Sequence, residues 1–459
     1  MEVDMQVEDM QVEVTVKALL NREILHKIFH SLDITTLKVV RHVCKVWDAV
    51  GATYLGRLGH INFSEPPNCG KHEELAPFDH KLAKNITLEF YGDQSSPKLP
   101  TNFFKILPHI DNKLESLEFH GIKAFKPLQE IWSNYAFPRL TNISIVANGP
   151  QLDKEPPPLE IARFGRLPTL KMCSVKISPY CRNPLAKGLM TTICQNLANS
   201  APDLEEVYLD ENIYLSLTAC EKLKILSASS SRDLQYEVSE MEDMLESCQN
   251  SLQSFTLGKF TWNEDPRQLN LPLPSLTHLK LHATHIEIIK DLLNVTNLPE
   301  LTHFSISFIN LTSVYKISEL LQNHNTEFVL NLPQKCEALT SMMQSFGDWD
   351  LTSAQIDFEI ESHSFAANEL LCDEFGSQLI IAVLEGMGRW TDLTIASLQF
   401  TGHLCRHTEF KMLEEMRAAL LSCRTIKSVA ITGFLMDEET KDNLKAFIRE
   451  HKFPINEPK

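Results

Sequence analysis

The sequence predicts an α/β solenoid with a small helical module ahead of it, and three observations lead there. Apolar residues at i, i+3 and i+5 recur along most of the 459 residues, as expected of one short strand per repeat with a return segment between copies. Near the N-terminus the apolar residues fall instead at helical spacings of three and four. A chain this long exceeds the size of one ordinary compact core, so it needs an elongated array or several domains.

Taken in order, residues 1–16 hold five acidic and no basic side chains and contain the tandem DMQVE DMQVE at 4–13. A solvated, disordered leader is expected there. Residues 17–60 follow as the helical module. In LNREILHKIFHSL the residues Ile24, Leu25, Ile28, Phe29 and Leu32 make one stripe, and Asn21 is placed to cap its N-terminus. A second short helix joins Leu37 and Val40, and a third joins Val43, Trp47 and Val50. So small a unit has little core of its own and is expected to leave an apolar face for a partner or for the following domain.

The string L-x-x-E-I-L-x-x-I-F-x-x-L-x-x-x-x-L-x-x-x-x-x-V-C-K-x-W, from Leu20 to Trp47, resembles the F-box family. The resemblance covers about a tenth of the chain and implies docking on a Skp-type adaptor, and through it on a cullin scaffold that carries the ubiquitin-conjugating machinery. It nominates Leu20, Ile24, Leu25, Ile28, Phe29, Leu37, Val43, Cys44 and Trp47 as adaptor-binding residues. The family usually opens with Leu-Pro; here Asn21 follows Leu20, starting the helix by a side-chain cap instead of a fixed φ.

Residues 61–81, including SEPPNCGKHEELAPFDH at 64–80, are Pro-, Gly- and Asn-rich and are expected to be a linker. The repeat array is assigned to 82–435. Its clearest copies are LESLEF from 114, LTNISI from 140, LEEVYL from 204, LKILSA from 223, LQSFTL from 252, LTHLKL from 276 and LTHFSI from 301. Weaker ones start at 83 (AKNITL), 170 (LKMCSV), 325 (NTEFVL), 390 (WTDLTI) and 426 (IKSVAI), so about twelve repeats are expected, degenerate after 325. The core pattern resembles the leucine-rich repeat, which implies a horseshoe of stacked strand-and-return units sharing one continuous core. Helices are expected in MTTICQNLANS at 190–200 and EDMLESCQNS at 242–251, with Pro156, Pro157 and Pro158 in a return loop. Residues 436–459 are assigned to a C-terminal capping helix, with Leu444, Phe447 and Ile448 on one stripe, and a tail.

Composition bounds the function. With 60 acidic against 43 basic residues the formal charge is −17, which argues against nucleic acid or an anionic membrane as a general ligand. Eleven cysteines stand singly and never as CxxC, a reduced-thiol usage that, with no signal segment, points to the cytoplasm or nucleus. The sequon-like triplets at Asn85 and Asn142 are then chance matches. No phosphate loop, HExxH pair or GxSxG elbow occurs. The GMG at 386–388 is a helix stop, and CGKH at 69–72 and HLCRH at 403–407 lack the four spaced ligands of a closed zinc site. No catalytic residue, cofactor or metal is expected. The resemblances imply a substrate-recognition subunit of an SCF-type ubiquitin ligase; the alternative is a repeat scaffold or inhibitor unconnected with ubiquitination.

Side chains alternate across a strand, so residues between the consensus apolars face outward and are the candidates for binding a protein substrate. Glu206, Tyr208 and Asp210 are examples from one copy. His278, Lys280, His282 and His303 form a second group, expected to attract an acidic or phosphorylated segment as the imidazoles protonate.

Overall fold

The computed structural model describes residues 17, 19–64, 82–89, 101–121, 126–147, 165–177, 184–210, 213–229, 238–258, 269–282, 292, 296–308, 340, 344, 353–360, 375–388, 395–402, 411–423, 428–432, 436–452 and 455–456. The acidic leader, CGKH, HLCRH, the three prolines and the copy expected from 325 lie outside them. The chain divides into two compact units, Met1–Leu204 and Glu205–Lys459.

The first unit opens with α1 (Arg22–Phe29), α2 (Ile34–Val40) and α3 (Lys45–Leu58). Asn21 starts α1 as expected, its Oδ1 accepting the Glu23 N–H at 2.9 Å. Asp33 starts α2 by accepting the Thr36 N–H at 2.7 Å. Each cap satisfies a backbone donor that the helix itself leaves unpaired. Leu25, Phe29, Leu37 and Val50 close a small core, with Leu32, Val40, Trp47 and Tyr54 packed against it. Phe29 meets Trp47 edge-on at 5.4 Å between ring centroids. Val43 is not part of the third helix, which begins two residues later; it stands in the preceding turn, 62% exposed.

Two residues beyond α3 the chain is already in β1 (Ile61–Ser64), so the ladder starts inside the stretch assigned to the linker. β1 pairs in parallel with β2 (Asn85–Glu89), Ile61 beside Ile86 and Phe63 beside Leu88. Asn85 ties the module to this ladder, its Nδ2 donating to the Arg57 carbonyl at 2.6 Å, with the Gly56 and Gly59 carbonyls at 3.3 Å. These are the unpaired acceptors at the end of α3, and they account for a nearly buried polar side chain at the start of a strand. The ladder continues through β3 (Ser116–His120), β4 (Asn142–Ala147) and β5 (Met172–Ile177), all parallel and in register. Two inward rows, Ile86–Leu117–Ile143–Cys173 and Leu88–Phe119–Ile145–Val175, are buried throughout. At roughly 1.5–3 kcal/mol per large apolar side chain removed from water, these rows are the main reason the strands stack. The returns carry α4 (Thr101–Ile110), α5 (Lys126–Asn134) and α6 (Pro184–Ser200).

The second unit repeats the design with β6 (Glu206–Asp210), β7 (Ile225–Ser229), β8 (Ser254–Leu257), β9 (His278–His282) and β10 (His303–Phe308), followed by β11 (Ser353–Ile360), β12 (Ile395–Gly402), β13 (Ser428–Thr432) and β14 (Ile455–Asn456). Every neighbouring pair is parallel. Four differences from expectation have clear causes. In β11 Ala354 stands in register with Phe304 and Ile356 with Ile306, and the small Ala hides the pattern. For the same reason the register of β12 runs through Ala396 and Leu398, three residues later than WTDLTI suggested; Ala354 lies beside Ala396. The helix α7 (Val238–Glu246) is earlier and shorter than 242–251, because the CQNS stretch after it turns.

The fourth difference lies at the C-terminus. α8 (Phe375–Met387) and α9 (Glu414–Ser422) occupy earlier returns, and α10 (Glu438–His451) is capped by Asp437, which accepts the Thr440 N–H at 2.6 Å. Leu444 and Phe447 of α10 are buried as expected. It is nevertheless a return helix and not the closing element, because β14 follows and pairs with β13. The GMG segment does stop α8, with the Gly388 N–H closing onto the Leu384 carbonyl at 2.9 Å.

Candidate functional site

The module divides its apolar residues into two sets. Leu25 and Phe29 lie four apart on the row that faces α2 and α3, and with Leu37 they are fully buried. These three were nominated as adaptor contacts, but they are closed off in the module's own core and hold the fold. Ile24 and Ile28 lie four apart on the neighbouring row of α1 and are 40% and 42% exposed. Leu20 and Val43 are exposed as well, while Cys44 and Trp47 are half-buried. Trp47 has a further role, its indole N–H donating to the Leu19 carbonyl at 2.7 Å, which ties down the chain entering α1.

The large apolar side chains exposed among the described residues are Leu19, Leu20, Ile24, Ile28, Ile34, Val39, Val43 and Leu58. All belong to the module, and none belongs to either strand ladder. Leu19, Ile34, Val39 and Leu58 were not nominated from sequence. Exposed apolar side chains gathered on one small element point to an interaction site more than single ones spread over a surface do.

The outward strand faces are mostly polar, with Val146, Met172 and Ile225 among the exceptions. Along β6 exposure alternates as expected: Glu206, Tyr208 and Asp210 are half-buried between the buried Val207 and Leu209. Tyr208 O–H donates to Glu206 Oε2 at 2.8 Å. Burial, followed by that bond and the carboxylate charge, pushes the Tyr208 phenol up to about 12.

In β9 and β10, His278 lies beside His303 in register, and Lys280 beside Ser305. The two imidazoles are stacked, with centroids 4.0 Å apart and planes 13° from parallel. Partial burial and the neighbouring His303 hold His278 below the usual imidazole range. Protonation of His278, on which the expected attraction of an acidic segment in part depended, is therefore resisted. Lys280 is exposed, and the side chain of His282 lies outside the described residues.

No family model matches the chain, and no curated protein matches it in sequence. A leucine-rich repeat protein of Leptospira interrogans is similar in structure at 11% identity, over 82% of this chain and 95% of that chain, with a TM-score of 0.25. The repeat assignment rests on the strand register. No helix among the described residues is long and apolar enough to cross a membrane, and no group of three or more metal-ligating side chains occurs among them.

Proposed function

We propose that this protein is a substrate-recognition subunit of an SCF-type ubiquitin ligase. Its helical module docks on a Skp-type adaptor, and its outward strand faces bind a protein substrate. The observation that carries this reading is the apolar surface of Leu20, Ile24, Ile28 and Val43, confined to the segment that resembles an F-box. The chain performs no bond chemistry in this reading. It raises the effective concentration of a target lysine near ubiquitin activated by other subunits.

Asn21 does not stand against it, because the cap opens α1 in place of the usual proline. The test is co-expression of the full chain with a Skp-type adaptor and a cullin. Recovery of all three as one complex is the expected result. An adaptor that stays separate from a folded chain would favour the scaffold reading, in which the module only covers the first strands through the Asn85 bonds.

A further inference from the structure

Charge is unevenly placed along this chain. Residues 17–60 hold seven Lys and Arg against three Asp and Glu, whereas the whole chain carries a formal charge of −17. Of those three carboxylates, Asp48 is paired with Arg41 at 2.7 Å and Asp33 caps α2. Among the described residues no carboxylate pairs with Arg22 or Arg57.

Arg22 and His26 lie four apart on α1, and His30 follows at its C-terminal cap. With about 3.6 residues per turn, this row flanks the buried Leu25 and Phe29 on the side away from Ile24 and Ile28. Tyr54 and Arg57 of α3 meet the same row. Tyr54 Oη lies 3.2 Å from His26 Nδ1, and the Tyr54 ring centroid lies 5.6 Å from that of His26 and 6.3 Å from that of His30. The Arg57 guanidinium stands 5.8 Å over the same ring. Arg22, His26, His30 and Arg57 are exposed, and Tyr54 is half-buried. Whichever of His26 and Tyr54 donates in their shared bond, the pair keeps one hydrogen for another acceptor.

We infer that Arg22, His26, His30, Tyr54 and Arg57 form a docking face for an acidic segment of a partner polypeptide. The two guanidinium groups match carboxylates through paired N–H bonds, and the phenol and imidazoles add further donors. From Arg22 to His30 the face runs about 12 Å along α1, a length that about four extended residues span. Phosphate-bearing partners fit it less well. Tyr54 already meets His26, His30 and Arg57, so it offers no open platform on which a base could stack. Two fixed cations also fall short of the roughly four to eight that mark a basic patch for anionic lipid. The face lies across the core row from Ile24 and Ile28, so the inference stands independently of the adaptor reading.

The test is fluorescence anisotropy of labelled hexaglutamate with the full chain at low salt, beside an Arg22→Glu, Arg57→Glu variant. A control variant, Lys105→Glu with Arg449→Glu, reverses two exposed charges elsewhere. The expected result is saturable binding by wild type and control, weakened by added salt and by about 10-fold or more in the Arg22, Arg57 variant. Arg22→Gln with Arg57→Gln weakens it in the same direction and serves if the reversed variant does not fold. Ile24→Ala with Ile28→Ala leaves it unchanged, which separates this face from the adaptor surface. Absence of saturable binding by wild type overturns the inference, as does an equal loss in the control. Tighter binding of oligodeoxythymidylate or of phosphatidylserine vesicles than of hexaglutamate would make the face a phosphate surface and also overturn it. Binding that appears only once residues 1–16 are removed would give the face to the chain's own acidic leader, against a separate partner.

Discussion

At the scale of single residues, some side chains hold the repeats while others lie exposed and are proposed to face a partner. Leu279 is buried between neighbouring strands, and Leu279→Ala is expected to cost about 2–5 kcal/mol in denaturant unfolding. Asn85 joins α3 to the ladder through buried bonds, and Asn85→Ala strands the helix-end carbonyls at a cost of roughly 1–3 kcal/mol. Tyr208 gives a pH signature. Its folded pKa of about 12 lies above the ordinary phenol value of about 10. The folded state thus holds the proton more tightly. The contribution is fully present below pH 10 and is lost as pH rises towards 12. Absorbance titration should show one late phenol that Tyr208→Phe removes. That Thr277 and Thr302 each reach a carbonyl of the preceding repeat was not legible in the sequence, because it depends on the strand register.

At the scale of elements, legibility followed side-chain size. Strands β3 to β10 were readable because large apolar residues mark most consensus positions, as Leu114, Leu117 and Phe119 do, and leucines carry the first two positions of β7 although Ala228 holds the third. β11 and β12 were missed or misplaced where Ala354 and Ala396 replace it. β1 was missed because the four-residue INFS carries no leucine and follows a helix directly. In α1 the stripe predicted the helix but not which row faced inward. Ile24 and Ile28 are as apolar as Leu25 and Phe29, and only the placement of α2 and α3 decides between them. Ile24→Ala with Ile28→Ala is therefore expected to leave the melting temperature nearly unchanged, whereas Leu25→Ala with Phe29→Ala unfolds the module. Circular dichroism of the two double variants distinguishes them; equal losses would mean the rows are assigned wrongly.

At the scale of the whole molecule, the central claim is a division of labour between an apolar module and polar strand faces. The division shows in composition: large exposed apolar side chains gather in the module, while hydroxyls, carboxylates, Lys280 and the histidine pair occupy outward strand positions. The most direct measurement is the dissociation constant of the full chain for a purified Skp-type adaptor, compared with an Ile24→Asp, Ile28→Asp, Val43→Asp variant of unchanged melting temperature. The account predicts saturable binding by wild type, weakened at least about 100-fold in the variant, because three buried apolar contacts are each replaced by a desolvated charge. Wild type and variant binding with equal affinity, or neither binding at all, would contradict it.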